Sequence, residues 1–199
     1  MSVGKKSILV ILAVLIIDQI SKIWIKTHFA LGESIEITSW FHIAFIENSG
    51  MAFGLEFIPK LYLTLFRIVA VGGIGYLIYR FIKQNKYPTG FIICISLIFA
   101  GALGNIIDCV FYGVIFSEST PYQVAQLLHE SGGYAALFHG KVVDMLYFPI
   151  IKNSAGETLF FSPVFNIADS VITVSVFYIL IFYRKYLGED KKKDIQNEA

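Results

Sequence analysis

Charged side chains are scarce in this sequence: they make up 16% of its 199 residues, 56% are hydrophobic, and the mean hydropathy is +0.66. A soluble domain carries about 25% charged residues, so this chain lacks the polar surface that water requires. Its 16 basic and 15 acidic residues nearly balance and form no basic stripe, which excludes a nucleic-acid partner. Its two cysteines, Cys94 and Cys109, lie roughly 22 Å apart along one apolar run, too far for a disulfide. An integral membrane protein is the class that remains.

Several catalytic motifs are also missing. The sequence has no Gly-x-Ser-x-Gly, its four histidines form no His-Glu-x-x-His, and no glycine-rich phosphate loop is present. These absences disfavour serine hydrolases of the nucleophile-elbow type, zinc hydrolases and nucleotide-dependent enzymes. We therefore expect no metal and no organic cofactor.

Four apolar runs are long enough to cross about 30 Å of hydrocarbon: residues 7–25, 61–82, 90–112 and 163–183. They predict one all-α integral membrane domain over residues 1–199, with four transmembrane helices and extracytoplasmic segments at 27–60 and 117–162. The terminal segments and the link 80–86 hold 10 of the 16 lysine and arginine residues but 4 of the 15 acidic ones. The positive-inside rule therefore predicts a multi-pass protein with both termini in the cytoplasm.

The extracytoplasmic segments carry their own patterns. Residues 34–48 are rich in β-forming residues and partly alternate, which predicts two or three short strands on the membrane surface. Thr120, Pro121 and Gln123 resemble a helix start, so we expect a short interfacial helix over residues 121–130. Close helix packing is the interpretation of the small residues in two spans: Gly72, Gly73 and Gly75 in the second, and Ala100 with Gly104 in the third.

Polar residues inside the spans need a partner or a function, because a charge near the bilayer centre costs at least about 2.5 kcal/mol. Six of them form three pairs with helical spacing: Asp18 with Lys22, Asn105 with Asp108, and Asn166 with Asp169. The first pair predicts an ion pair within one helix. The aspartates of all three pairs lie roughly 6 to 10 Å below the outer surface, which indicates one shared site.

Asp144 lies outside the spans in the apolar stretch Val-Val-Asp-Met-Leu. Burial among such side chains would raise its pKa, as a general acid at neutral pH requires. Two carboxylates that cannot both ionise comfortably are the basis of aspartic protease chemistry. An ion- or proton-coupled transporter and a structural assembly subunit remain alternatives, although acids strung across the membrane or broken-helix repeats would be more typical of a transporter.

Five separated segments of the sequence resemble the motifs of the lipoprotein signal peptidase (signal peptidase II) family, in the family's order. They are Asp18-Gln-Ile-Ser-Lys22, Asn48-Ser-Gly-Met-Ala-Phe-Gly54, Gly101-Ala-Leu-Gly-Asn-Ile-Ile-Asp108, Val142-Val-Asp144 and Phe165-Asn-Ile-Ala-Asp169. Each motif is weak alone, but the five together are specific.

This resemblance implies an aspartyl endopeptidase of the bacterial inner membrane with four helices and a small extracytoplasmic sheet. Its partners would be membrane lipids and a diacylglyceryl-modified prolipoprotein, cut just before the lipidated cysteine near the outer leaflet, and we expect a monomer. The resemblance implies that Asp144 and Asp169 are catalytic. It assigns site support or substrate binding to a further set: Asp18, Lys22, Asn48, Gly50, Gly104, Asn105, Asp108 and Asn166.

The sequence departs from the family pattern in two places. The family's third motif continues Asp-Arg, whereas Asp108 is followed here by Cys109, and residues 117–140 look like an extra stretch. The stretch would either cap the site or be a tolerated insertion. Because a buried carboxylate needs a partner, we hypothesise that Lys141 supplies the positive charge for Asp108.

Overall fold

A computed structural model of the chain describes residues 1–49, 59–130, 132–152, 158–160 and 163–187. Within these residues, four helices are long and apolar enough to cross a membrane. They are α1 (Val3–His28), α2 (Lys60–Gln84), α3 (Thr89–Ile115) and α4 (Ile167–Leu187). The expectation of four transmembrane helices is therefore confirmed.

Two helix boundaries differ from the prediction for local reasons. The first helix begins at Val3 because the Ser2 side chain accepts a hydrogen bond from the Lys5 backbone and caps it. The fourth begins at Ile167 rather than at residue 163. Residues just before it are extended, since the backbone of Phe165 pairs with Leu146.

Helix α3 is the centre of the bundle and packs against α1, α2 and α4. Small residues allow this close approach: a Cβ atom on Gly101 would lie 2.6 Å from the Ala168 carbonyl oxygen. The packing role predicted in the second span holds for Gly75, where a Cβ atom would lie 3.2 Å from the Phe99 ring. It is wrong for Gly72 and Gly73, because a Cβ atom on either would meet nothing within 4 Å. They lie on a face of α2 that points away from the other described helices.

A three-stranded antiparallel sheet covers one end of the bundle, which we call the sheet end. Its strands are β1 (Ser34–Thr38), β2 (Phe41–Asn48) and β3 (Val142–Tyr147), in the order β1-β2-β3. The expectation of two or three strands over residues 34–48 is confirmed with two, and β3 comes from a distant part of the chain. Strands β4 (Ile151–Lys152) and β5 (Thr158–Phe160) form a separate pair. An apolar cluster joins the sheet to α1 and α3: Ile25, Phe29, Phe45, Tyr112, Phe116, Val143 and Met145.

The predicted short helix over residues 121–130 is wrong. Residues 120–123 form a tight turn, in which Thr120 and Gln123 exchange backbone hydrogen bonds. The following residues pair with the end of α3 instead of with one another, as the Ser117 N–H bonds to the Gln126 carbonyl and the Leu128 N–H to the Ile115 carbonyl. Tertiary pairing thus overrides a helix-start signal that is only a weak local preference.

The extra stretch 117–140 docks on α3 through a local change of helix type. Residues Asp108–Tyr112 of α3 form a π-helical turn, whose geometry redirects backbone carbonyls. The Cys109 carbonyl accepts a hydrogen bond from the Gly140 N–H at 2.8 Å, and the Val110 carbonyl accepts one from the Phe138 N–H at 3.1 Å. The stretch is therefore part of the packed structure at the sheet end.

Candidate active site

Strand pairing places Asp144 at the junction of the sheet and the helices. Ile46 of β2 lies opposite Asp144 of β3. Asn48, two residues further along β2, therefore lies on the same face of the sheet as Asp144. The Asn48 side-chain amide donates to Asp144 Oδ2 at 3.1 Å. The carboxyl group is almost fully buried, with 2% of the residue exposed. Because Phe165 pairs with the same strand, Asp144 is brought beside the start of α4.

Asp169 lies in the first turn of α4, within a capping box formed with Asn166. The Asn166 side-chain oxygen accepts from the Asp169 N–H at 2.9 Å, and the Asp169 carboxylate accepts from the Asn166 N–H at 3.4 Å. A carboxylate at this position also interacts favourably with the helix dipole.

Two side-chain amides connect the two aspartates. The Asn166 amide donates to Asp144 Oδ1 at 2.7 Å and to Asn105 Oδ1 at 3.1 Å. The Asn105 amide in turn donates to Asp169 Oδ1 at 2.8 Å. One hydrogen-bonded chain therefore joins the acid of the sheet to the acid of the fourth helix.

Burial, followed by the neighbouring Asp169 carboxyl group, raises the pKa of Asp144 to about 7. Hydrogen bonds from Asn48 and Asn166 and the charge of Lys22 act in the opposite direction but are outweighed. The prediction that its apolar surroundings would raise the pKa is confirmed. Asp144 can thus hold or release a proton near neutral pH.

A second cluster of charges lies behind this chain of amides and is completely buried. Lys22 Nζ lies 2.9 Å from Asp18 Oδ2 and 2.9 Å from Asp108 Oδ2, and it donates to Asn105 Oδ1 at 2.8 Å. The predicted ion pair within α1 is confirmed, and Asp108 extends it to α3. The Ala168 N–H at the start of α4 donates to Asp18 at 3.1 Å, so the cluster ties three helices together.

The cluster uses one residue that the sequence reasoning missed. Gln19 donates to Asp18 at 3.1 Å, to the Gly104 carbonyl at 3.2 Å and to Asp108 at 3.0 Å, and it accepts from Tyr112. Gln19 lies inside the first motif, which could have indicated a role in the site. The four-residue helical spacing, however, selects only Asp18 and Lys22. Residue 104 must be glycine for Asp18 to approach α3 this closely, because a Cβ atom there would lie 2.6 Å from Asp18 Oδ2.

The hypothesis that Lys141 neutralises Asp108 is wrong. Lys22 fills that role, and the Val143 N–H adds a hydrogen bond to Asp108 at 3.3 Å. Lys141 instead lies 2.9 Å from Glu47 Oε2, because β3 runs beside β2 and carries residue 141 to the strand end that holds Glu47.

Glu47 is the centre of a third charged group, further towards the end of α1. It accepts from Lys26 and Lys141, and Ser119 of the extra stretch donates to it at 3.0 Å. Although burial opposes its ionisation, the two ammonium groups lower the pKa of Glu47. This group anchors the extra stretch to α1 and the sheet.

A cavity of about 280 Å³ opens beside Asp169 between α2, α3 and α4. Four polar residues line it, Asn48, Arg67, Asn105 and Asp169, and its remaining described lining is apolar. The described lining residues come from these three helices and from β2 and β3, so the extra stretch 117–140 does not contribute to this wall. Gly50 lies outside the described residues.

Comparisons with known proteins agree with this arrangement. A family model described as signal peptidase (SPase) II matches residues 10–185. The lipoprotein signal peptidase of Porphyromonas gingivalis is 47% identical over 189 residues, covering 90% of this chain and 83% of that protein. The lipoprotein signal peptidase of Staphylococcus aureus is 32% identical over 191 residues, covering 96% of this chain and 94% of that protein.

Solved structures show the same relationship. A bacterial membrane enzyme determined by the in meso method at 1.9 Å resolution is 31% identical, with a TM-score of 0.63 over 89% of this chain and 91% of that chain. A second such structure, at 2.3 Å, is 30% identical with a TM-score of 0.64 over 93% and 91%. With most of its length matched, this chain belongs to the signal peptidase II family, the lipoprotein signal peptidases.

Proposed function

We propose that this protein uses Asp144 and Asp169 as a catalytic pair to remove the signal peptides of diacylglyceryl-modified prolipoproteins. Membership of the family makes it an aspartic peptidase that processes lipoproteins in the bacterial inner membrane. Family membership also favours this function over the ion-coupled transporter and the structural subunit that the sequence left open.

The observation that carries the catalytic assignment is the amide chain between the two acids. Asn166 holds Asp144, and Asn105 holds Asp169, at 2.7 and 2.8 Å respectively. Fixed orientation of two carboxyl groups, one of them with a pKa raised to about 7, is what acid-base hydrolysis by an acid pair requires. Asp169 also borders the cavity into which a peptide could enter.

The burial that raises the pKa of Asp144 to about 7 makes Asp144 the acid that holds the proton, which leaves Asp169 to act as the base. Asp169 takes a proton from a water molecule, whose oxygen attacks the scissile carbonyl carbon, while Asp144 gives its proton to the carbonyl oxygen. When the carbon–nitrogen bond breaks, Asp169 delivers its proton to the leaving amine. A proton from the resulting diol returns to Asp144, which restores the starting state.

The location of the site follows from the same proposal. Both acids lie at the sheet end of the bundle, and the basic residues concentrate at the opposite end and in the tail. By the positive-inside rule, this charge distribution favours cytoplasmic termini and a site near the outer leaflet. We further propose that a monomer suffices, because both acids and the amides that hold them come from one chain.

The test is cleavage of a purified diacylglyceryl-modified prolipoprotein by the purified protein in detergent. Asp144→Asn and Asp169→Asn should each reduce cleavage by at least about 10³-fold while leaving the melting temperature within a few degrees, because the amide keeps the shape and loses the acid-base function. Glu36→Gln, which changes an exposed carboxylate on β1, is the matched control and should cleave normally. Near-normal turnover by either aspartate variant would refute the catalytic pair, and no cleavage by folded wild-type protein would refute the function.

A further inference from the structure

The extra stretch 117–140 does not line the cavity beside Asp169, but one of its residues, Phe138, supports the cavity wall from behind. Phe138 packs against an apolar cluster of three buried residues: Val71 of α2, and Ile106 and Val110 of α3. Val71 and Ile106 also line the cavity, whereas Phe138 is not among its described lining residues. These two side chains therefore stand between Phe138 and the space next to one of the two proposed catalytic acids.

The backbone of Phe138 is bonded to the same two helices. Its N–H donates to the Val110 carbonyl of α3 at 3.1 Å, and its carbonyl accepts from Thr64 Oγ1 of α2 at 3.1 Å. Thr64 is buried, with 1% of the residue exposed, so little water can compete for this bond. Phe138 thus joins α2 to α3 through its side chain and through both of its backbone groups.

The backbone conformation of Phe138 is one that a bulky residue rarely adopts. Its φ is +68°, in the left-handed region that disfavours residues with a Cβ atom. Such a conformation persists only where the surrounding structure determines it, and residues of this kind concentrate at functional sites. Glycine would adopt it without strain, so the presence of phenylalanine indicates that the ring itself is needed at this position.

The position of α2 decides how wide the cavity is. Among the described helices, α2 packs mainly against α3. It contributes the largest share of the described cavity lining: Phe66, Arg67, Ala70, Val71 and Ile74. Without the Phe138 ring, a void would lie behind Val71 and Ile106. Neighbouring groups relax partly into such a void, so the wall would retreat and the cavity would become larger.

We propose that Phe138 is a positioning residue for substrate selection, whose ring fixes α2 against α3 and thereby sets the size of side chain that the cavity admits beside Asp169. The inference rests on the proposed function, in which the cut falls directly before the lipidated cysteine. The side chain that precedes this cysteine is then the one whose size the cavity limits. A fixed apolar wall discriminates strongly, because one methylene group more or less changes kcat/KM by about 10- to 200-fold.

Cleavage of two matched substrates tests this role. Diacylglyceryl-modified prolipoproteins with alanine or with leucine directly before the lipidated cysteine are compared by the ratio of their kcat/KM values. Phe138→Ala should raise the leucine-to-alanine ratio by at least about 10-fold, since the enlarged cavity accepts the larger side chain. Phe138→Leu keeps most of the apolar volume and should stay near the wild-type ratio. A general loss of folded enzyme would not change the ratio, because it affects both substrates equally.

Two further variants separate the ring from the backbone. Phe138→Gly removes the ring and also relieves the left-handed backbone, so it should remain folded and show the same shift as Phe138→Ala. Leu137→Ala is the matched control, because it removes a 44% exposed apolar side chain from the same stretch, and it should leave the ratio unchanged. An unchanged or lower ratio in active Phe138→Gly protein would overturn the proposal and leave the proposed function intact.

A distance measurement tests the same inference without cleavage. Spin labels attached to Val69→Cys on α2 and Thr173→Cys on α4, two exposed positions, report the separation of these helices, and the two native cysteines are buried. Phe138→Gly should broaden or lengthen the distance distribution, and Leu137→Ala should reproduce that of the wild type. An unchanged distribution in Phe138→Gly would overturn the proposal, whereas wild-type protein that cleaves no prolipoprotein would refute the proposed function instead.

Discussion

Adding one methyl group at Gly104 should destabilise the protein, although alanine is the better helix former. The new Cβ atom would lie 2.6 Å from Asp18 Oδ2, 3.3 Å from Asp18 Cγ and 3.6 Å from Ala168 Cβ. Ordinary contacts of this kind are at least about 3.4 Å, so the methyl group and the carboxylate cannot both keep their positions.

The Asp18 carboxylate has little freedom to retreat. Its Oδ2 atom is held by Lys22 at 2.9 Å and by Gln19 at 3.1 Å, and its Oδ1 atom accepts from the Ala168 N–H at 3.1 Å. A methyl group that displaces the carboxylate removes the partner of Lys22 in a buried ion pair, which costs about 3–5 kcal/mol. The higher helix propensity of alanine offsets about 1 kcal/mol of this loss in stability. We therefore expect Gly104→Ala to lower the free energy of unfolding by about 2–4 kcal/mol.

Gly72→Ala in α2 is the matched control, because a Cβ atom there meets nothing within 4 Å. This variant should match the wild type or exceed it by up to about 1 kcal/mol. Denaturant unfolding in mixed micelles, followed by tryptophan fluorescence, measures both variants against the wild type. Equal stability of the two variants would refute the reasoning, since the sole difference between them is the space around the added methyl group.

Four further predictions address other parts of the molecule. Lys22→Met leaves two buried carboxylates without their shared cation and should lower the free energy of unfolding by about 3–5 kcal/mol, so a loss below about 1 kcal/mol in the same unfolding assay would contradict the buried cluster. Lys141→Ala should cost no more than about 1 kcal/mol and leave cleavage intact, because the Lys141 side chain is 32% exposed and Glu47 keeps Lys26 as a partner, and abolished cleavage would contradict this. Cleavage should decline as the pH rises through about 7, because Asp144 then loses the proton that it donates, and a flat profile from about pH 6 to about pH 8 would refute its role as the acid. Glu33→Cys should react with an impermeant thiol reagent in intact cells and Lys86→Cys only after lysis, and the reverse result would invert the topology.

The sequence alone was sufficient to predict that this is a membrane protein, that it has four transmembrane helices, and that residues 34–48 form strands. Each of these depends on composition or on a short repeat of hydrophobicity, which neighbouring residues specify by themselves. The pair Asp18 and Lys22 was predictable for the same reason, because four residues along a helix place two side chains on one face. Spacing on separate helices also indicated that Asn105, Asp108, Asn166 and Asp169 belong together.

Tertiary structure alone decided how these groups are connected. Asp144 approaches Asp169 because β3 pairs both with β2 and with Phe165, a pairing across long stretches of sequence that no local pattern specifies. The partner of Asp108 was wrongly inferred as Lys141, since strand register carries that lysine to Glu47 while a cation from α1 reaches Asp108 through the packed interior. The predicted helix at 121–130 was replaced by pairing with α3 for the same physical reason: a capping signal is worth about 1 kcal/mol, and hydrogen bonds with a packed neighbour outweigh it.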